Sequence, residues 1–228
     1  MKKLLFIIAI LYAAALTGCS GGGPSASSTS STTPLPLASA DDTFDGTSLS
    51  AARWYNTTNT GGASLSLTGL ALEFASSSAA VYDLNSHFRI KGNFLAEVNF
   101  SFLNFKDTTR FDSKLLFGAS NYIQIRTEIR TDGHVYAVAS HYLNGVTTQD
   151  SDLDLGNSIP MAVTASFDKS GGQVAFSVNG VVLQALTDTE YVNVDPSVTF
   201  QFYNSAVAGT IGIVLNDWTI NNAAFEVF

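Results

Sequence analysis

The chain has 228 residues, a net charge of −8 at pH 7, 46% hydrophobic residues and a single cysteine. That acidic balance argues against nucleic acid and against anionic lipid headgroups as partners. One cysteine excludes an internal disulfide, so a packed core must supply the stability.

Lys2 and Lys3 open the chain, and Leu4 to Leu16 then run without a charge. As a helix this run reaches about 20 Å, short of the roughly 30 Å hydrocarbon core of a bilayer. The pattern reads as an export signal and not as a membrane span. It ends in Leu16-Thr17-Gly18-Cys19. These residues resemble the lipobox of bacterial lipoproteins, where a small residue precedes a lipid-modified cysteine. The resemblance implies that residues 1–18 are a signal peptide removed on export. It also implies that Cys19 carries a diacylglyceryl thioether and that acyl chains of the palmitate kind tie the protein to a membrane. Two or more such chains make the attachment nearly irreversible. Ser20 stands where an Asp favours inner-membrane retention in Gram-negative lipoproteins, so an extracytoplasmic place on the outer membrane is expected.

Residues 19–40 are almost all Ser, Thr, Gly, Pro and Ala, without charge or apolar period. Such a segment cannot bury enough surface to order itself and reads as a tether. The folded part is expected at 41–228, long enough for one domain with a sizeable core. Loss of Lys2 and Lys3 leaves nine basic against nineteen acidic residues, a mature charge of −10.

Beyond the tether the apolar period is two, which predicts an all-β sandwich or barrel. Phe94, Ala96, Val98, Phe100 and Phe102 alternate with Leu95, Glu97, Asn99 and Ser101. Next comes a hairpin turning at Thr131-Asp132-Gly133. A three-residue loop with Gly133 left-handed keeps Ile123, Ile125, Ile129, Val135, Ala137 and Ala139 on one face. It pairs Tyr122 with Tyr142, Gln124 with Ser140, Arg126 with Val138 and Glu128 with Tyr136. Asn179-Gly180 predicts a second, two-residue hairpin. It would pair Val178 with Val181 and Phe176 with Leu183, placing Val174, Phe176, Val178, Val181 and Leu183 on one apolar face. Val198, Phe200 and Phe202 alternate with Thr199, Gln201 and Tyr203, and Ile211, Ile213 and Leu215 begin a closing strand.

Three stretches resemble the concanavalin A-like lectin and glucanase superfamily, which includes laminin G-like domains. They are Asp42-Thr43-Phe44-Asp45-Gly46 with Leu49 and Trp54, Phe167 to Gly180, and Ile213 to Ile220. The resemblance implies a jelly roll of two antiparallel sheets. It also implies a sugar ligand on the concave sheet and, in several members, a structural calcium between the first and last strands. Asp42 and Asp217 are the matching candidates here.

The superfamily's glucanases carry their acids on one strand as Glu-x-Asp-x-Glu, which this chain lacks. Retaining hydrolysis needs two carboxyl groups about 5 to 5.5 Å apart, so acids from separate strands are the remaining route. No Gly-x-Ser-x-Gly or His-Glu-x-x-His is present, and His87, His134 and His141 are scattered. Asp150, Asp152 and Asp154 alternate like the start of a calcium loop, but Met161 occupies the twelfth position. A strand edge with Asp outward and Leu inward explains them more simply.

The candidate ligand surface is the polar face of the first hairpin: Tyr122, Gln124, Arg126, Glu128, Tyr136 and Tyr142, extended by Tyr203. Aromatic faces with hydrogen-bonding neighbours suit a glycan. A solvated sheet with an ordinary cross-strand charge network has the same composition. Three functions stay open from the sequence: a non-catalytic carbohydrate-binding module, a glycoside hydrolase, and a structural or adhesive envelope protein.

Overall fold

Alternation of apolar and polar residues makes a strand with one buried face, and two such sheets bury their faces against each other. The computed structural model describes residues 39–46, 48–67, 72–76, 78–103, 109–204, 211–221 and 223–228. Cys19, the signal region 1–18 and the tether as far as residue 38 lie outside the described residues.

In chain order the strands are β1 (Trp54–Asn59), β2 (Ser64–Leu67), β3 (Leu72–Ser76), β4 (Ala80–Lys91), β5 (Phe94–Phe102), β6 (Thr109–Phe117), β7 (Asn121–Ile129) and β8 (Val135–Leu143). They continue with β9 (Val146–Gly156), β10 (Met161–Ser170), β11 (Gln173–Val178), β12 (Val181–Leu186), β13 (Ser197–Asn204), β14 (Ile211–Asn221) and β15 (Ala224–Val227). One helical turn, α1 (Thr189–Val192), precedes β13. The strands form two antiparallel sheets. One runs β1-β4-β13-β6-β7-β8-β9, with β15 also on β4, and the other runs β12-β11-β10-β5-β14-β3-β2. This is the expected jelly-roll sandwich.

Phenylalanine fills the space between the sheets. Phe100 of β5 meets Phe111 of β6 at 4.4 Å, and Phe74 of β3 stacks on Phe202 of β13 at 5.2 Å. Trp54 and Trp218 are buried and both pack on Phe200. Each such ring gains about 1.5–3 kcal/mol by leaving water.

The opening stretch acts as a clasp. Asp42 exchanges backbone hydrogen bonds with Trp218 of β14 at 2.8 and 2.7 Å, and its Oδ2 accepts the Trp54 indole N–H at 2.7 Å. One residue thereby ties β1 of one sheet to β14 of the other. Ser39 and Ala40, the last two residues of the expected tether, already join the domain. Ala40 is buried in the core, and the Ser39 carbonyl accepts from Arg53.

The β7–β8 hairpin has the expected register, with Glu128 opposite Tyr136 and Tyr122 opposite Tyr142. Its loop closes through Arg130 and His134, with Gly133 at φ 80°. The β11–β12 hairpin corrects its expectation in part. Asn179 and Gly180 both take positive φ, and Val178 faces Val181. A bulge after that pair then sets Phe176 opposite Gln184 and not Leu183. Val181 is exposed beside the turn, whereas Val174, Phe176 and Val178 are buried.

Candidate functional site

The face of the β4-β13-β6-β7-β8-β9 sheet turned away from the core carries the candidate residues. Side chains on one face recur about every 6.8 Å along a strand, and strands lie about 4.8 Å apart, so cross-strand partners form rows. The outermost row reads Tyr203, Arg110, Glu128, Tyr136. The next reads Asp83, Gln201, Asp112, Arg126, Val138, Asp152. A third reads Asn85, Thr199, Lys114, Gln124, Ser140, and a fourth Leu116, Tyr122, Tyr142. Tyrosines thus border a polar centre on both sides along the strands.

Asp112 is the middle of that centre. Its carboxylate is fully buried although it lies on the outer side of the sheet. Arg110 Nη2 stands 2.9 Å from Oδ2, Lys114 Nζ 3.7 Å from Oδ2, and Arg126 Nε 3.5 Å from Oδ1. The Arg110 contact is close but poorly directed, so neither carboxylate oxygen accepts a well-formed hydrogen bond. Burial pushes the Asp112 carboxyl above its usual range, against the three cations that pull it down. Burial likewise lowers Lys114, partly offset by Asp112.

Gln201 stitches the neighbouring strands. Its Oε1 accepts from Arg110 and Lys114 at 3.2 and 3.1 Å, and its Nε2 donates to Asp83 at 2.7 Å. Farther along, Arg130 holds Glu128 at 2.9 Å and Asp152 at 2.8 Å.

The aromatics are held in place by these groups. Tyr122 and Tyr142 stack at 5.3 Å with 5° between their planes, and Lys114 sits 5.8 Å from the Tyr122 ring. Arg130 covers one side of Tyr136 at 4.0 Å, and Arg110 lies 4.9 Å from the Tyr203 ring. The Tyr136 hydroxyl donates to Asp132 at 2.8 Å. That bond raises the phenol, and Asp132 is held below its usual range first by the His134 backbone N–H and then by Tyr136. Beneath Tyr142, the buried Tyr191 of α1 donates to the Tyr142 carbonyl at 2.8 Å, anchoring that end of β8.

All seven candidates, Tyr122, Gln124, Arg126, Glu128, Tyr136, Tyr142 and Tyr203, therefore lie on one face. Gln124 is buried and the other six are half-buried. Asp83, Arg110, Asp112 and Lys114 belong to the same face and were not singled out from the sequence. Their signal is the alternation Phe111, Ser113, Leu115, Phe117 in β6 and Tyr82, Leu84, Ser86, Phe88, Ile90 in β4, blurred where serines take core positions.

The acidic candidates behave differently. Asp42 uses its carboxylate on Trp54 and the Phe44 N–H, and Asp217 Oδ1 accepts from Asn99 at 2.7 Å. Among the described residues no group of three His, Cys, Asp or Glu side chains is arranged to hold a metal. Both carboxylates are engaged by protein donors. Asp152 and Asp154 pair on the outer side as expected, but Asp150 does not. A bulge in β9 turns it inward, where it meets His141 at 2.8 Å and is nearly buried.

Sheet order and inner packing together define a concanavalin A-like jelly roll. No family model and no curated protein matches the chain. Solved structures do. A β-glucanase from Bacillus licheniformis superposes with a TM-score of 0.60 at 16% identity, covering 82% of this chain and 98% of that one. A glycoside hydrolase family 16 endo-glucanase from Bacteroides ovatus gives 0.58 at 11%, covering 79% and 98%. The Emp46p carbohydrate-recognition domain, in its potassium-bound form, gives 0.54 at 13%, covering 75% and 89%. At such identities the likeness is one of fold.

Proposed function

We propose that this chain is a membrane-anchored extracytoplasmic lipoprotein whose sandwich domain binds carbohydrate without cleaving it. The observation that carries the binding reading is the outer face of β13-β6-β7-β8. Tyrosine rings there flank a centre of fixed amide, guanidinium and carboxylate groups. Sugar C–H faces pack on such rings, and sugar hydroxyls exchange hydrogen bonds with such a centre. The superposed structures include proteins named for action on glucans and for carbohydrate recognition, which supports the same ligand class. The anchor rests on Leu16 to Cys19 and the outer-membrane location on Ser20.

A hydrolytic reading has one observation in its favour. Asp112 and Glu128 stand on adjacent strands of this face with Arg126 between them, 3.5 Å from one and 4.0 Å from the other. A general acid must touch the glycosidic oxygen, however. Asp112 has no exposed surface and lies among three cations, while Glu128 is held by Arg130. The geometry therefore favours binding. A glycan array probed with the full chain in detergent, paired with a reducing-end assay on every glycan it retains, tests this. Retention without release of reducing ends is expected. Release that is abolished by Glu128→Gln would establish the hydrolase.

A further inference from the structure

Three cations of the polar centre share a single buried carboxylate. Arg110, Lys114 and Arg126 converge on one carboxylate, Asp112. Of the acids nearby, Glu128 is held by Arg130 at 2.9 Å and stands 4.0 Å from Arg126, Asp152 is held by Arg130, and Asp83 by Gln201. Arg126 donates no hydrogen bond among the described residues. Its Nε is buried without an acceptor, while its side chain is 35% exposed and leaves the terminal nitrogens accessible. Gln124 is only 3% exposed, and its Nε2 also lacks an acceptor, as does Arg110 Nε. Buried donors are nearly always satisfied in a folded protein, so three together show a face short of acceptors, and the exposed end of Arg126 is where one from outside can approach.

We propose that this centre takes an acidic group of the glycan, a sugar carboxylate or a sulfate ester, seated over Arg126 and Lys114. The proposal rests on the carbohydrate reading and adds to it the charge of the ligand. Two charge scales fix what kind of acidic glycan fits. Locally, three cations face one carboxylate, and a second anion completes them. Globally the mature chain carries −10, which repels a densely charged polymer. An acid group set among neutral sugars satisfies both, with the neutral rings on Tyr122, Tyr142 and Tyr136.

The test uses an array of matched oligosaccharides that differ only by one carboxylate or one sulfate, probed with the full chain in detergent. The acidic member of at least one pair should bind about tenfold more tightly, and the two kinds of pair show which acid it is. The preference should shrink between about 0.05 and 0.5 M salt. Arg126→Gln should abolish it, Arg126→Lys should keep part of it, and Lys91→Gln, at the far end of β4 where Lys91 pairs with Asp195 and Glu226, should leave it unchanged. Thermal melts of each variant show that it is folded, and the salt series on the wild type needs no variant. Equal binding across every pair, or a preference that survives in Arg126→Gln, overturns the proposal but leaves carbohydrate binding standing. No retention of any glycan overturns both.

Discussion

Two truncations on adjacent strands, three positions apart in register and on opposite faces, separate the proposed binding face from the core. Ile125 of β7 is fully buried, and its cross-strand partners are Ser113 and Ala139. Neither small side chain can swing into the space that Ile125→Ala leaves. The loss should therefore lie in the upper part of the 2–5 kcal/mol range for such truncations, about 4 kcal/mol. For a domain of this size that lowers the melting temperature by about 8–16 °C. Tyr136 of β8 points the other way. It is half-buried, capped on one side by Arg130 at 4.0 Å, and holds only Asp132 through its hydroxyl. Tyr136→Ala opens no cavity, so melting should move by less than about 2 °C. Affinity for a retained glycan should fall several-fold, because one packing surface for a sugar ring is gone.

Circular-dichroism melts and calorimetric titration on both variants make the comparison. If Tyr136→Ala unfolds the domain while Ile125→Ala is tolerated, the two faces are assigned backwards. If both fold and Tyr136→Ala binds as the wild type does, Tyr136 is no stacking platform, and Tyr203 is the next ring to remove.

Three further outcomes are expected. Gly61 has φ 66°, and a Cβ there would stand 1.8 Å from the Ala79 carbonyl oxygen; Gly61→Ala should cost about 3 kcal/mol or more in a denaturant titration, and an unchanged midpoint refutes the turn geometry. Asp112, raised by burial above 3.8, keeps its proton in the folded state where the unfolded chain has lost it, so its contribution falls as pH rises from about 4. Wild-type stability minus that of Asp112→Asn should then decline as pH rises from about 4, and a flat difference removes the argument. Cys19→Ala should abolish palmitate labelling and membrane partitioning in a bacterial host, whereas a soluble, unlabelled wild type would end the anchor reading.

The hairpin that carries most of the site was legible residue by residue because two local signals agree. The apolar alternation of Ile123 to Ala139 and the left-handed Gly133 permit one register. Where signals disagree the reading slips. Val181-Val182-Leu183 has no alternation, so nothing in β12 announces the bulge that shifts Phe176 from Leu183 to Gln184. Asp150 follows the same period as Asp152 and Asp154, yet bulges in β9 turn it inward to His141. The polar centre is illegible for a different reason. Asp83, Gln201, Asp112 and Arg126 share a row only through the pairing of β4, β13, β6 and β7. Gln201 lies ninety or so positions along the chain from the cations it bridges, and no local spacing encodes such a contact.

The arrangement around Asp112 also differs from that of an ordinary solvated sheet. A solvated sheet places its charges in water, where cross-strand pairs lose little solvation and are weak. Here the central carboxylate is fully buried, and two arginine Nε atoms and one glutamine amide lack acceptors among the described residues. Desolvating such a cluster opposes folding, and apolar or threonine side chains in the same row would stabilise the sheet better. The cost is offset by the core beneath, where Phe111, Leu115, Ile123 and Ile125 are fully buried on the other side of the same two strands. That division of labour fits a recognition surface. The inner residues of β6 and β7 hold the backbone rigid, and the outer ones are kept in one geometry by mutual contacts that are too poorly satisfied to be an end in themselves. A ligand acceptor over Arg126 relieves the unsatisfied donors, whereas protonation of Asp112 leaves them as they are. The two forms of relief are coupled: binding of an acidic ligand should raise the melting temperature increasingly as pH falls from neutral, because Asp112 then takes up its proton and Arg110, Lys114 and Arg126 lose the charge they face.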